Sequence, residues 1–183
     1  MLPDYQLLDA AKHNDLQSAR EAVNRGANVH VRHLDGVSAL HLACTQGHMQ
    51  MAEFLVDLGA DVDETFGKRR RTLLHWAAEQ SSTGVATFLI SHKANVNAQQ
   101  SDGSTPLLLA AKHGHHYLVK LLLKHDALLS PRNANQVTAQ AAAKRAGFHN
   151  IASLIETAAA TRPSHMQTAE EEFHHRPGER SLF

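Results

Sequence analysis

Short apolar runs recur along the chain at a fixed interval, separated by polar or glycine-bearing stretches. One series is Ser38-Ala39-Leu40-His41-Leu42-Ala43, Thr72-Leu73-Leu74-His75-Trp76-Ala77, Thr105-Pro106-Leu107-Leu108-Leu109-Ala110 and Thr138-Ala139-Gln140-Ala141-Ala142-Ala143, with starts 34, 33 and 33 residues apart. A second series, Gly26-Ala27-Asn28-Val29, Gly59-Ala60-Asp61-Val62, Lys93-Ala94-Asn95-Val96 and Asp126-Ala127, steps by 33, 34 and 33. Two different motifs sharing one period mark a repeat array.

Each unit predicts two short helices and a turn. Ser or Thr opens the first helix as an N-cap, its hydroxyl accepting from a free backbone N–H. Pro106 follows Thr105 at the first helical position, where a missing N–H costs nothing. Gly47, Gly114 and Gly147 stop the first helix in the left-handed region. The second helix carries Phe54-Leu55, Phe88-Leu89 or Leu121-Leu122-Leu123, and Gly26 or Gly59 ends it. Asp35-Gly36 and Asp102-Gly103 make the turn onward. Helices this short are unstable alone, so the units must stack and bury their apolar faces on one another. The expected fold is an all-α repeat solenoid whose units are joined by short turn or hairpin fingers.

These residues resemble the ankyrin repeat, whose pattern includes a T-P-L-H box, a G-H step, an L-L pair, G-A-D-V-N and a D-G turn. Residues 34–128 match over three units. Residues 2–33 fit as an N-terminal cap, with Leu7-Leu8-Asp9-Ala10-Ala11 in place of the box, and residues 134–155 as a C-terminal cap with Gln140 in place of the buried Leu. The resemblance implies five units, near 2–33, 34–66, 67–99, 100–132 and 133–155. Residues 156–183 are expected to extend the last helix to about Thr161 and then form an acidic tail, because Pro163 stops the helix.

Composition narrows the function. Lys+Arg and Asp+Glu are both 18, and aromatics are only 5%. No overall field therefore favours nucleic acid or an anionic membrane. No apolar run reaches the roughly 20 residues of a membrane span. One Cys permits no internal disulfide, and the N-terminus lacks a signal-peptide layout, so a cytoplasmic or nuclear location is expected. No phosphate loop, nucleotide fingerprint, carboxylate pair or Ser-His-Asp arrangement is present. The expectation is a monomeric protein without enzymatic activity, cofactor or metal. His113, His115 and His116 lack the Cys or carboxylate that would complete a metal site. Cys44 reads as a small packed thiol and Trp76 as an inter-repeat packing residue. His41 and His75, in the box, are expected to bond their own helix's Ser or Thr hydroxyl and a neighbouring loop backbone.

The third unit departs from the pattern. Its turn, Thr65-Phe66-Gly67-Lys68-Arg69-Arg70-Arg71, has one extra residue and no Asp-Gly. Ser81 and Lys93 stand where other units have glycine, and a non-Gly residue held at positive φ costs roughly 1 kcal/mol. Places where local rules fail are more often functional or strained than the rest. The bland reading of the turn is a solvated charge run, partly neutralised by Asp61, Asp63 and Glu64. A nuclear-localisation reading is weaker, because a folded turn presents a basic run poorly as an extended peptide.

The resemblance implies that partners bind the concave side, formed by turn tips and the exposed face of the first helices. By repeat position the candidates are Arg32 and His33 in the first turn, and Phe66, Lys68, Arg69, Arg70 and Arg71 in the second. Gln99 and Ser101 follow in the third turn and Arg132 in the fourth. Glu79, Lys112, His113 and Arg145 come from the first helices. This set suits an acidic or phosphorylated segment of another protein, bound through charge-assisted hydrogen bonds. The chain is expected to be an adaptor or regulator. The alternatives are a regulatory or inhibitory subunit of an enzyme such as a kinase or protease, and nucleic-acid binding through the basic turn. Glu170, Glu171, Glu172 and Phe173 could mimic such a ligand and contact the turns intramolecularly. Asn97 resembles the site that an asparaginyl hydroxylase modifies in ankyrin repeats.

Overall fold

The computed structural model describes residues 2–161; Met1 and residues 162–183, with Glu170, Glu171, Glu172 and Phe173, lie outside the described residues. Ten helices are found among the described residues, in five antiparallel pairs: α1 (Pro3–His13) and α2 (Leu16–Asn24), α3 (Ala39–Gln46) and α4 (Met49–Asp57), α5 (Leu73–Glu79) and α6 (Thr83–Ser91), α7 (Pro106–Lys112) and α8 (His116–Lys124), α9 (Ala139–Arg145) and α10 (His149–Thr161). Among those residues the β-type pairing consists of two isolated bridges, Arg32 with Ser38 and Phe66 with Arg71.

The first helices form because each has a working cap. Ser38, Thr105 and Thr138 accept from the backbone N–H groups of His41, Leu108 and Ala141, and Thr72 with His75 forms a capping box. They stack on one another, α1 on α3 and α5 on α7 on α9, while α6, α8 and α10 stack as the other layer. Leu7, Leu40, Leu74, Leu107, Leu118 and Ile151 are among the buried side chains of the core between the layers. Trp76 packs against that core half-buried. Gln140, in the last unit, is half-exposed and donates to Glu156 at 3.2 Å, which suits a capping position.

Four fingers connect the units. Fingers 1, 3 and 4 close with His33 N to Val37 O, Gln100 N to Ser104 O and Asn133 N to Val137 O, each enclosing three residues. Finger 2 closes between Phe66 and Arg71 and encloses four, so the extra residue of the third unit sits in its tip. Ser101 N donates to Arg69 O and Ala134 N to Asp102 O, which joins fingers 2, 3 and 4 backbone to backbone. Finger 1 reaches finger 2 differently, through the Arg32 guanidinium on Thr65 O at 3.0 Å.

Ser81 and Lys93 do hold positive φ, at 59° and 68°. The same strain recurs at Asp126 (62°) and Gln136 (59°), so it is not confined to the third unit. Ser81→Gly and Lys93→Gly should each raise stability by a few tenths to about 1 kcal/mol. Urea denaturation checks this, and a loss of stability in both variants would contradict the strain argument.

The join between the second and third units is built unlike the others. His48 bonds Ala11 O at 3.1 Å and His115 bonds Glu79 O at 3.0 Å, each tying its unit to the one before. Phe148 makes the corresponding contact on Gly114 by packing. The third unit has Ser82 there, too short for the reach. The backbones of α3 and α5 correspondingly approach less closely than those of the other inner neighbours.

Candidate functional site

A polar cluster fills that looser join. Glu64, only 8% exposed, accepts a hydrogen bond from the Ser38 hydroxyl and an ion pair from Arg32 at 3.0 Å. Burial nevertheless holds its pKa above the ordinary carboxylate value, against the lowering pull of Ser38 and Arg32. Arg71 pairs with Glu79 at 2.5 Å, both about a quarter exposed, and its guanidinium lies over the Phe66 ring at 5.4 Å. Phe66 in turn meets the His41 ring edge-on, centroids 4.0 Å apart.

This arrangement changes the role of His41. His75 behaves as the sequence predicts: Nδ1 meets the Thr72 hydroxyl at 2.9 Å and Nε2 meets Ser104 O at 3.0 Å. His41 does not. The hydroxyl of Ser38 is directed to Glu64, and the His41 ring meets Phe66 edge-on instead of a finger carbonyl. His41 Nδ1 is left buried without a hydrogen-bond partner. Desolvation, then the nearby Arg71 charge, lowers its pKa from 6.5 to about 4. Burial lowers that of His75 as well.

Both histidines therefore have folded pKa values below their unfolded ones. Their neutral forms stabilise the fold fully above pH 6.5, and that contribution is lost as pH falls through the folded pKa, about 4 for His41. Glu64, whose folded pKa is raised, works in the opposite sense in the carboxylate range. For His41 alone the shift from 6.5 to about 4 corresponds to at most about 3.4 kcal/mol across that window, and solvent screening of the partly exposed ring brings the expected fall to about 2 kcal/mol. A His41→Leu chain should show a visibly smaller fall in denaturation experiments between pH 7 and 4.5. Equal pH dependence would contradict the assignment.

The sequence candidates fall into three groups. Arg32, Phe66, Arg71 and Glu79 are taken up in contacts around the join: Arg32 with Glu64, Phe66 with His41 and Arg71, and Arg71 with Glu79. Lys68, Arg69 and Arg70 lie exposed on the finger 2 tip. Among the described residues, no carboxylate is within ion-pairing distance of these three. The acids nearest in sequence are engaged elsewhere: Glu64 with Ser38 and Arg32, Asp63 with Asn95 N, Asp61 with Asp63 N. The neutralisation expected from them is therefore not a set of direct pairs. Asp102 is the exception at longer range. Its burial raises its pKa, but bonds from Ser104 and Gln100 and the charge of Arg69 bring it below the usual value.

The third group is dispersed. His33 pairs with Asp35 at 3.2 Å, and Arg132 donates to Gln136 O within its own finger. Gln99 and Ser101 are exposed on finger 3. Lys112 and Arg145 close the last turns of α7 and α9, and His113 stacks on His115 at 5.9 Å. Asn97 has both ends of its amide occupied, Oδ1 accepting from Leu128 N at 2.7 Å and Nδ2 donating to Asp126 O at 3.3 Å. Cys44 is buried, and desolvation pushes its thiol up to about 12, a packed group rather than a nucleophile. No cluster of three or more His, Cys, Asp or Glu suited to a metal occurs among the described residues.

One feature of this side was not among the sequence candidates. A groove of about 550 Å³ runs between α1, finger 1 and α3, and of the candidates only His33 lines it. Its apolar walls are Tyr5, Leu8, Val37 and Leu42. They come from three elements, so no single periodic pattern marks them; the sequence signal was Tyr5, set on the polar side of an amphipathic helix.

The family described as Ankyrin repeats (3 copies) matches residues 7–100 and 83–162. The chain belongs to the ankyrin repeat family. Its curated relatives include the B-cell lymphoma 3 protein homolog of Mus musculus, 33% identical over 124 residues, covering 67% of this chain and 28% of that protein. Protein glp-1 of Caenorhabditis elegans is 30% identical over 135 residues, 68% of this chain and 10% of that protein. A putative ankyrin repeat-containing protein of Treponema pallidum is 32% identical over 105 residues, 57% of this chain and 35% of that protein. The chain thus spans between a tenth and about a third of these relatives' length. Repeats of this family generally mediate protein–protein interactions. No helix among the described residues is long and apolar enough to cross a membrane.

Proposed function

We propose that this array is a non-enzymatic binding module for an acidic or phosphorylated segment of another protein. The segment lies along the fingers and the exposed side of the first helices, with the finger 2 tip as the principal contact. The observation that carries this reading is the state of Lys68, Arg69 and Arg70: three exposed cations on one tip, with the acids nearest in sequence engaged elsewhere. Arg70 adds support. It sits at a positive φ of 48°, where glycine or asparagine would be less strained, so the turn geometry does not account for an arginine there. The backbone of Arg69 is braced by finger 3 through its carbonyl, and a tip already held in one conformation loses less entropy on binding than a loose one.

Nucleic acid would meet the same charges, but a chain with no net charge and 5% aromatic residues offers neither a wide field nor stacking platforms. A titration in rising salt separates the two. A glutamate-rich peptide should bind with a modest salt dependence, and random RNA and DNA should bind at least tenfold more weakly at physiological salt. Tighter binding of RNA or DNA would overturn the reading. Whether the bound protein is an enzyme under regulation or a scaffold is decided by affinity capture followed by activity assay of what is captured.

A further inference from the structure

The groove beside finger 1 deepens the reading just given, on which it rests. The apolar part of its lining, Tyr5, Leu8, Val37 and Leu42, is already held in place by α1, finger 1 and α3. Tyr5, one of them, is 54% exposed. Leu34, on the fingertip between the lining residues His33 and Asp35, is 99% exposed. Large apolar groups left in water beside a preformed concavity mark a place where another apolar group docks.

The groove and the basic tip are contiguous. His41 lines the groove, its ring meets Phe66 edge-on, and Phe66 opens the finger whose next residues are Gly67, Lys68, Arg69 and Arg70. A ligand can therefore cross from one to the other over two packed rings.

Charge sets the order of the ligand's own residues. The groove rim carries Asp9 and Asp35, with Lys12 as the opposing charge. Asp9 lies 3.3 Å from His13, and Asp35 lies 3.2 Å from His33 and also accepts from Val37 N. A carboxylate seated at this rim would face like charge, whereas one placed over finger 2 would meet three cations. Adjacent repeats lie about 10 Å apart, the spacing of packed helices. An extended peptide covers that in about three residues at 3.3–3.6 Å each.

We infer that the groove between α1, finger 1 and α3 takes a large apolar side chain of a linear, glutamate- or aspartate-rich segment, whose acidic residues lie three or four positions away on the finger 2 tip. The ligand class is thus defined by spacing as well as by charge.

The test uses the full chain and three fluorescein-labelled twelve-residue peptides. The first has a leucine, three neutral spacer residues and three glutamates. The second replaces the leucine with serine, and the third places the leucine next to the glutamates. Fluorescence polarisation should show the first binding at least tenfold tighter than the second, with the third in between. The gain from leucine should shrink below threefold in Tyr5→Ser and Leu34→Ser chains, two substitutions at exposed positions. If the first and second peptides bind the unaltered chain equally, the groove assignment is wrong while the acidic-segment reading stands. If neither binds, both are wrong. If the gain from leucine survives Tyr5→Ser and Leu34→Ser undiminished, the apolar residue docks elsewhere and the inference fails.

Discussion

His75→Ala should destabilise the array by about 3–4 kcal/mol, whereas His41→Ala, at the equivalent place one repeat earlier, should cost about 1 kcal/mol. His75 is fully buried and joins three groups: the Thr72 hydroxyl, the Thr72 N–H and the Ser104 carbonyl. Its removal leaves a cavity and strands a buried donor and acceptor that no water reaches easily. The loss also falls on a contact between successive units, and stability in a repeat protein is largely a sum of unit and neighbour terms. Among the described residues His41 Nδ1 has no hydrogen-bond partner. Truncating it sacrifices an edge-on contact with Phe66, worth roughly 1 kcal/mol. Urea denaturation of both variants under one set of conditions checks the difference. Equal costs would mean that His41 has a partner after all.

The two histidines occupy one sequence position and could not be told apart from the chain alone. Helix number, caps and the left-handed residues were legible because they depend on neighbours within three or four positions, as with Thr105, Pro106 and Gly114. The join between the second and third units was not, because it depends on residues far apart. Glu64 and Ser38 are 26 positions apart, and nothing local distinguishes Glu64 from a solvated acid. Phe66 and Arg71 read as binding residues by repeat position, yet their contacts are with His41 and Glu79. Two signals were present. Ser82 replaces the histidine found at 48 and 115, which removes a tie to the preceding unit, and one extra residue loosens the finger. Lys68, Arg69 and Arg70 read as candidates and are exposed in the structure, since that extra residue lengthens the tip that carries them.

Affinity for an acidic segment should rest on that tip. A Lys68→Glu, Arg69→Glu, Arg70→Glu chain should bind a glutamate-rich peptide about thirtyfold more weakly, roughly 2 kcal/mol. Each reversal exchanges an attraction for a repulsion, and the three side chains make no ion pair with the described part of the chain that would be lost. Apart from the longer-range attraction of Arg69 for Asp102, the reversal removes no charge contact within the described residues, so the fold should change little in stability. Arg70→Gly alone separates binding from stability: relief of the 48° φ should raise stability by up to about 1 kcal/mol while affinity falls. By contrast, Phe66→Ala should lower stability, because Phe66 is a wall of the join.

Isothermal titration of the glutamate-rich peptide into the unaltered and triply reversed chains, with thermal unfolding of both recorded in the same buffer, decides whether the finger 2 tip is where an acidic segment binds. The unfolding midpoint should be nearly unchanged and the Kd about thirtyfold higher for the reversed chain at low salt, with the gap narrowing as salt screens the charges. Equal Kd values in two equally stable chains would contradict this and move the binding site away from finger 2.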